Sequence, residues 1–162
     1  MNIWTACLIG LVATAFMDLA QWLRTQLTHT PGLDYRLVGR WLLTLRGGGK
    51  PITPITQRPK QVGERALGWA AHYGTGAAIG ALLPLAQAWA PSLSRGALCL
   101  GIGVVSMALP TLVMQPGMGL GVAASRTPAP WRARRGTLFA HLSLGLGLWL
   151  AWALLDGLAR IP

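Results

Sequence analysis

The sequence predicts an all-α, polytopic membrane protein. The expected architecture is four transmembrane helices in a bundle, built as a pseudo-two-fold duplicated helical hairpin, with an amphipathic cytoplasmic helix after the first span. Three observations carry this. Of 162 residues, 52% are hydrophobic and 11% charged, and the mean hydropathy is +0.46, far from the balance of a soluble domain. Four runs, about 3–23, 66–89, 97–115 and 136–155, reach the roughly 20 apolar residues that a helix needs to cross a hydrocarbon core. The basic residues are segregated. Arg24, Arg36, Arg40, Arg46, Lys50, Arg58, Lys60 and Arg65 separate the first two runs, Arg126, Arg132, Arg134 and Arg135 the last two, and only Arg95 and Arg160 fall elsewhere. Cytoplasmic loops collect Lys and Arg. Loops 24–65 and 116–135 are therefore expected inside and both termini outside, within a single membrane domain, 1–162.

The first run opens "MNIWTACLIG", with no positive charge before its apolar stretch and Arg24 after it. That is the reverse of a cleaved signal peptide, so the segment is expected to stay as an anchor. The net charge of +10 is mainly a topology signal. No stacking aromatics or nucleic-acid motif accompany it, and no nucleic-acid partner is expected. Trp22, Trp41, Trp69 and Trp131 fall near the inner boundary of the four-span arrangement, and Trp4, Trp89, Trp149 and Trp152 near the outer one, as interfacial belts do. Cys7 and Cys99 both fall near the outer face, where either a disulfide or two buried free thiols would fit.

In the first loop, "LDYRLVGRWLLTLR" sets Leu37, Val38, Trp41, Leu42 and Leu45 at helical spacing, with Arg36 and Arg40 off that stripe. Pro31, Gly32 and Asp34 supply a start, with Asp34 as cap, and Gly47, Gly48 and Gly49 an end. Such a helix suits the plane of an anionic inner leaflet, and it equally suits packing on the protein's own spans. "GGGKPITPITQRPKQVGE" reads as an irregular, exposed loop. The second run carries Gly76 and Gly80 at the spacing that lets helices approach closely, and Gly101, Gly103, Gly145 and Gly147 offer the same in the third and fourth. Pro110 should kink the third span. "PGMGLGVAAS" then reads as a short re-entrant or interfacial stretch.

The two halves echo each other. "TAFMD" (Thr14 to Asp18) matches "TLVMQ" (Thr111 to Gln115), and aligning His72 on His141 also brings Ala71 onto Ala140 and Gly76 onto Gly145. Each half reads as a hairpin of two spans, inserted in the same sense and related by an axis along the membrane normal. At about 1.5 Å per residue, Asp18 and His72 both fall roughly 7 to 9 Å below the inner boundary. Duplication gathers Asp18, His72, Gln115 and His141 at one level, close to Thr14, Thr111, Met17, Met114 and Met118. Asp18 is expected to face inward and pair with His72, which would offset part of the roughly 2.5–3.5 kcal/mol that a charged aspartate costs at mid-membrane.

Such a cluster marks an ion path, a proton relay or a ligand site. The plainer reading is that these side chains only tie helices together, at about 0.6 kcal/mol per interhelical hydrogen bond. Soft and borderline donors in "MQPGM", with two histidines and an aspartate, leave a copper or zinc site open. No Cys-x-x-Cys or His-x-x-x-His spacing accompanies them, and no cofactor is expected. There is no Gly-x-Ser-x-Gly elbow, Walker loop or His-Glu-x-x-His, so an enzyme is the lesser expectation. "ASRTPAPWRARR" offers Arg126, with Ser125 and Thr127, to a lipid phosphate, or serves only as a positive-inside anchor.

The stretches "ATAFMD", "LDYRLVGRW", "GERALGWAAHY", "VMQPGMGLGVAASRTPAPW" and "AHLSLGLGLWLA" resemble a family of small bacterial inner-membrane proteins known as domain of unknown function 2938. The resemblance implies a four-span inner-membrane protein and supplies no activity, substrate or catalytic residue. The expected function is binding of a small ligand or cation in an inward-facing pocket around Asp18 and His72, as in a small proton-coupled transporter. Four spans make a thin pathway, which would call for a homodimer. The alternatives are a structural or accessory membrane protein and an intramembrane lipid-modifying enzyme with a histidine base.

Overall fold

The computed structural model describes residues 1–48 and 53–158. Gly49, Lys50 and Arg160, and the part of the expected exposed loop over 49–52, lie outside the described residues. Among the described residues every regular element is helical: α1 (Ile3–Thr28), α2 (Tyr35–Arg46), α3 (Glu64–Ala81), α4 (Leu83–Trp89), α5 (Arg95–Ser106), α6 (Gln115–Gly117) and α7 (Pro130–Leu158). A π-helical stretch, Leu109–Met114, and 3-10 turns at Ile55–Gln57 and Val122–Ala124 complete the order.

Three helical stretches are long and apolar enough to cross a membrane: Ile3–Thr28, Arg95–Gly117 and Pro130–Gly157. The expected second span, 66–89, differs. It folds as α3 and α4, broken at Leu82, with Pro84 in the first turn of α4. Proline has no N–H to continue the ladder, and its ring clashes with the carbonyl four residues back, so one uninterrupted helix does not form. Pro110 acts differently again. The chain around it widens into the π-helical stretch, where the Gln115 N–H donates to the Pro110 carbonyl five residues earlier. The last span also starts sooner than expected, with Pro130 at its head, so Arg132, Arg134 and Arg135 ride on the first turns of α7 rather than on a loop.

The chain forms two compact units. The first contains Met1–Pro31, Tyr73–Ser106 and the chain from Phe139 onward; the second contains Gly32–His72 and Met107–Leu138.

In the first unit, α1 starts where the Asn2 side chain accepts a hydrogen bond from the Thr5 N–H at 2.8 Å, which satisfies one of the helix's orphan donors. Its buried residues, Ala6, Ile9, Gly10, Ala13, Thr14, Met17 and Gln21, recur every three to four positions as one stripe of mostly small side chains. Leu8, Leu11, Val12, Leu19, Trp22 and Leu23 are exposed on the remaining surface. A helix with small residues turned to protein and large apolar ones turned outward is what a lipid-facing span requires. The core joins Ile9, Ala13 and Met17 to Leu83, Leu98, Cys99, Ala140, Leu144, Leu148, Ala151 and Trp152. Cys7 and Cys99 are both free thiols.

The crossings in this unit bring backbones together. A Cβ on Gly10 would lie 2.1 Å from the Gly76 carbonyl oxygen, and one on Gly80 would lie 2.7 Å from the Gly10 Cα. Gly103 meets the Gly145 backbone at 2.9 Å in the same way. The two crossings differ in register: Gly76 faces Gly10 and Thr14, while Gly145 faces Cys99, Leu100 and Gly103.

In the second unit, α2 begins and ends as its residues suggest. Asp34 caps it by accepting from the Arg36 N–H at 3.0 Å, and the Gly47 N–H closes it on the Leu43 carbonyl. Leu37, Val38, Trp41 and Leu42 of the apolar stripe are half-buried, and the fully buried positions are others. Gly39, Arg40 and Thr44 are buried, whereas Leu45 is 44% exposed. The reason is a close crossing with the start of α3, where a Cβ on Gly39 would lie 1.9 Å from the Glu64 carbonyl oxygen and one on Gly68 would lie 2.0 Å from the Tyr35 carbonyl oxygen.

Candidate functional site

The first unit holds Asp18, Thr14, Met17 and His141. Asp18 lies on α1 among apolar neighbours, and its Oδ2 accepts a hydrogen bond from the Tyr73 hydroxyl on α3 at 3.0 Å. One turn earlier, the Thr14 hydroxyl donates back to the Gly10 carbonyl at 2.8 Å, and its Oγ1 and Cβ lie against Gly76. Met17 belongs to the apolar core. Below Asp18, Gln21 accepts from Arg24 Nε at 2.9 Å, and the Arg24 guanidinium lies 5.6 Å from the centre of the Phe139 ring. His141, on α7, pairs through Nδ1 with the Ser106 hydroxyl of α5 at 2.7 Å.

The second unit holds His72, Gln115, Thr111, Met114, Met118 and Arg126. His72 stacks on Tyr35 with ring centres 3.9 Å apart and planes 21° from parallel, and Trp69 meets both rings edge-on. Gln115 Nε2 reaches the Thr137 hydroxyl at 3.5 Å, while its Oε1 is buried with no hydrogen-bond partner among the described residues. Thr111 donates to the Met107 carbonyl at 2.6 Å, the same back-bond that its echo Thr14 makes. Met114 is half-buried. Met118 is buried, and its carbonyl accepts from the Ile55 N–H at 2.9 Å. Arg126 is exposed. Asp18 thus belongs to the first compact unit and His72 to the second. Among the described residues, no group of three or more His, Cys, Asp or Glu side chains gathers as a metal-ligating set.

The strongest polar assembly joins Arg40, which the sequence offers as a loop charge, to Glu64, to which it assigns no role. Arg40 Nε donates to Glu64 Oε2 at 2.7 Å and Nη2 donates to Oε1 at 2.9 Å. This is a two-pronged pair with both side chains 7% exposed. Arg40 Nη1 also donates to the carbonyls of Ile55 and Arg58 at 3.3 and 3.0 Å. The Gln61 N–H donates to Glu64 Oε2 at 2.9 Å. One guanidinium therefore fastens α2, the start of α3 and the intervening loop, and Ile55 is fully buried within that loop. The part of this loop from Thr53 onward, expected to be irregular and exposed, is thus pinned. The sequence signal was scarcity: Glu64 is one of four acids in the chain, and a lone acid beside an apolar run usually has a partner.

Hydrogen bonds from Arg40, then from the Gln61 N–H, hold the Glu64 carboxyl down to about 2 from its ordinary 4.5. A depressed carboxyl contributes stability that is complete above the unfolded value and lost as pH falls through the folded one. Melting of the purified protein is expected to be flat with pH from neutral to about 4.5 and to fall between about 4.5 and 2. In Glu64→Gln the part of that fall owed to this carboxyl should vanish. A wild-type acid limb unchanged in the variant would show that the pair does not couple to folding.

The model of one protein family, described as "Protein of unknown function (DUF2938)", matches residues 7–155. The chain belongs to this family. No curated protein and no solved structure matches it. Membership in DUF2938 brings no activity or substrate with it, so the chemistry of this DUF2938 protein rests on the side chains just described.

Proposed function

We propose that the protein is a multi-pass membrane protein that binds a small ligand or cation at the carboxylate of Asp18. The observation that carries this is the hydrogen bond from Tyr73 to Asp18 at 3.0 Å, made by a carboxylate in a 26-residue helix apolar enough to cross a membrane. Magnitudes favour function over packing. A charged aspartate within the bilayer costs about 2.5–3.5 kcal/mol on insertion scales, and each interhelical hydrogen bond returns about 0.6 kcal/mol. A tie between helices is obtained more cheaply from a neutral serine or threonine, whereas a carboxylate supplies charge to a cation or proton.

The topology that goes with this reading has four spans: α1, α3 continued by α4, α5 through α6, and α7. Loops 24–65 and 116–135 are inside, the termini outside, and the membrane is a bacterial inner membrane. The positive-inside asymmetry supports it, as does the echo between the halves. Proton-coupled transport by a homodimer is the activity such a site would serve.

The test is proton flux into proteoliposomes containing the full chain, read with an entrapped pH dye under an imposed cation gradient. Asp18→Asn should lower flux at least about tenfold, while its melting temperature stays within a few degrees of wild type. Tyr73→Phe should shift the pH dependence of flux without abolishing it. Equal flux in wild type and Asp18→Asn would refute the assignment. A second reading, a structural or accessory protein without ligand, is favoured by the backbone crossings at Gly10 and Gly103. It predicts that Asp18→Asn changes melting alone.

A further inference from the structure

At one end of the first unit lies a cavity of about 270 Å³ lined by Met1, Thr5, Ile9, Gln87, Arg95, Trp152, Leu155 and Asp156. Its polar wall is an ion pair. Arg95 donates to Asp156 Oδ2, and its guanidinium lies over the Trp152 ring, 4.9 Å from the ring centre. The two side chains are 47% and 36% exposed, so the pair is open to an incoming molecule. Arg95 uses one of its N–H donors on Asp156, and Asp156 one of its oxygens; neither makes a further hydrogen bond among the described residues. The Gln87 and Thr5 side chains in the same wall make no hydrogen bond among the described residues either. Met1, Ile9, Trp152 and Leu155 complete the wall.

From this we infer that the cavity binds the headgroup of a zwitterionic phospholipid carrying a primary ammonium, a phosphoethanolamine lipid. The phosphate takes the free N–H donors of Arg95, and the ammonium donates to the second oxygen of Asp156 and to the Gln87 carbonyl. An anionic headgroup without an ammonium would bring its phosphate to Arg95 but offer no donor to the second oxygen of Asp156. A quaternary ammonium has no N–H to donate, and it relies on open aromatic faces; the Trp152 face is occupied by Arg95. Charge complementarity therefore selects both the dipole and the donor.

The lipid source follows from the level of the site. Thr5 and Arg95 stand in the first turns of α1 and α5, Gln87 in the last turn of α4, and Asp156 near the C-terminal end of α7. Trp4, Trp89 and Trp149, from the same ends of these helices, are 81%, 84% and 42% exposed, as expected of an interfacial belt at headgroup depth. Ile9 and Leu155 continue the wall towards the apolar interior, where acyl chains would run. The inference rests on the membrane reading of these helices and is independent of any role for Asp18.

The test is native mass spectrometry of the full chain released from nanodiscs holding equal amounts of phosphatidylethanolamine, phosphatidylcholine and phosphatidylglycerol. One retained lipid per chain is expected, with the ethanolamine lipid preferred by about tenfold. Asp156→Asn and Arg95→Gln should each remove that preference without displacing the melting curve by more than a few degrees. Equal retention of the three lipids by wild type overturns the proposal without recourse to any variant. So does an unchanged preference in both variants. Displacement of the lipid by free phosphoethanolamine at comparable concentration overturns the lipid assignment in favour of a soluble zwitterion.

Discussion

Gly10→Val should all but abolish the folded protein. The added Cβ would lie 2.1 Å from the Gly76 carbonyl oxygen and 3.0 Å from the Gly80 Cα. These are backbone atoms of a facing helix and cannot rotate away as a side chain would. Overpacking a core that can adjust costs about 1–3 kcal/mol, and a backbone clash belongs at the top of that range or above it. A fall in melting temperature of about 10 °C is the least expected, with loss of the monodisperse peak in size-exclusion chromatography as the stronger outcome. Gly74→Ala is the control. A Cβ there meets nothing within 4 Å, so only helix propensity changes, and a gain of up to about 1 kcal/mol is expected. If both variants melt alike, the α1–α3 crossing is not as close as described.

Arg40→Met should produce the next largest effect, for a different reason. The substitution keeps much of the apolar stem but removes every donor to Glu64 and to the carbonyls of Ile55 and Arg58. The carboxylate of a side chain 7% exposed is then left without its counter-charge, and breaking such a pair costs more than the pair itself contributes. A melting temperature lower by on the order of 5 °C is expected. Faster trypsin cleavage after Lys60 should accompany it, because the loop that Arg40 holds would open locally. The double variant Arg40→Met, Glu64→Met should recover part of the loss, since the orphaned charge is gone. A double variant worse than the single one, or an unchanged cleavage rate, would show that the guanidinium is not what fastens this loop.

Much of the fold was legible where physical causes are local. The Asp34 cap and the Gly47 stop of α2 follow from side-chain and backbone preferences over a few residues. The first, third and fourth apolar runs became helices of membrane-crossing length because hydropathy and length suffice to set them. Pro84 shows a local signal passed over: the expected run to Trp89 went straight through it, and the helix breaks at Leu82. Pro110 signals a disturbed helix in the sequence, and the form it takes here is a π-helical stretch, which local preference does not specify.

The candidate site was legible only in kind. Asp18 could be recognised from its apolar surroundings, but Tyr73, which donates to it, is 55 residues away and carries no signal at that distance. Likewise His141 was picked out, and Ser106 was not. Arg40 and Glu64 are 24 residues apart, and the sequence does not join them because an ion pair is a property of two helices rather than of either.

By itself the sequence determined that this chain is helical and apolar enough to lie in a membrane, and where most of its helices begin. Hydropathy, capping and proline act within a turn or two of the residue that carries them, so one dimension is enough to read them. Only the tertiary structure decided that α2 buries Gly39, Arg40 and Thr44 more fully than its leucines, that Tyr73 meets Asp18, and that Arg95 and Asp156 wall a cavity. Those outcomes depend on which glycines allow two backbones to touch, and hence on which distant side chains are carried into reach.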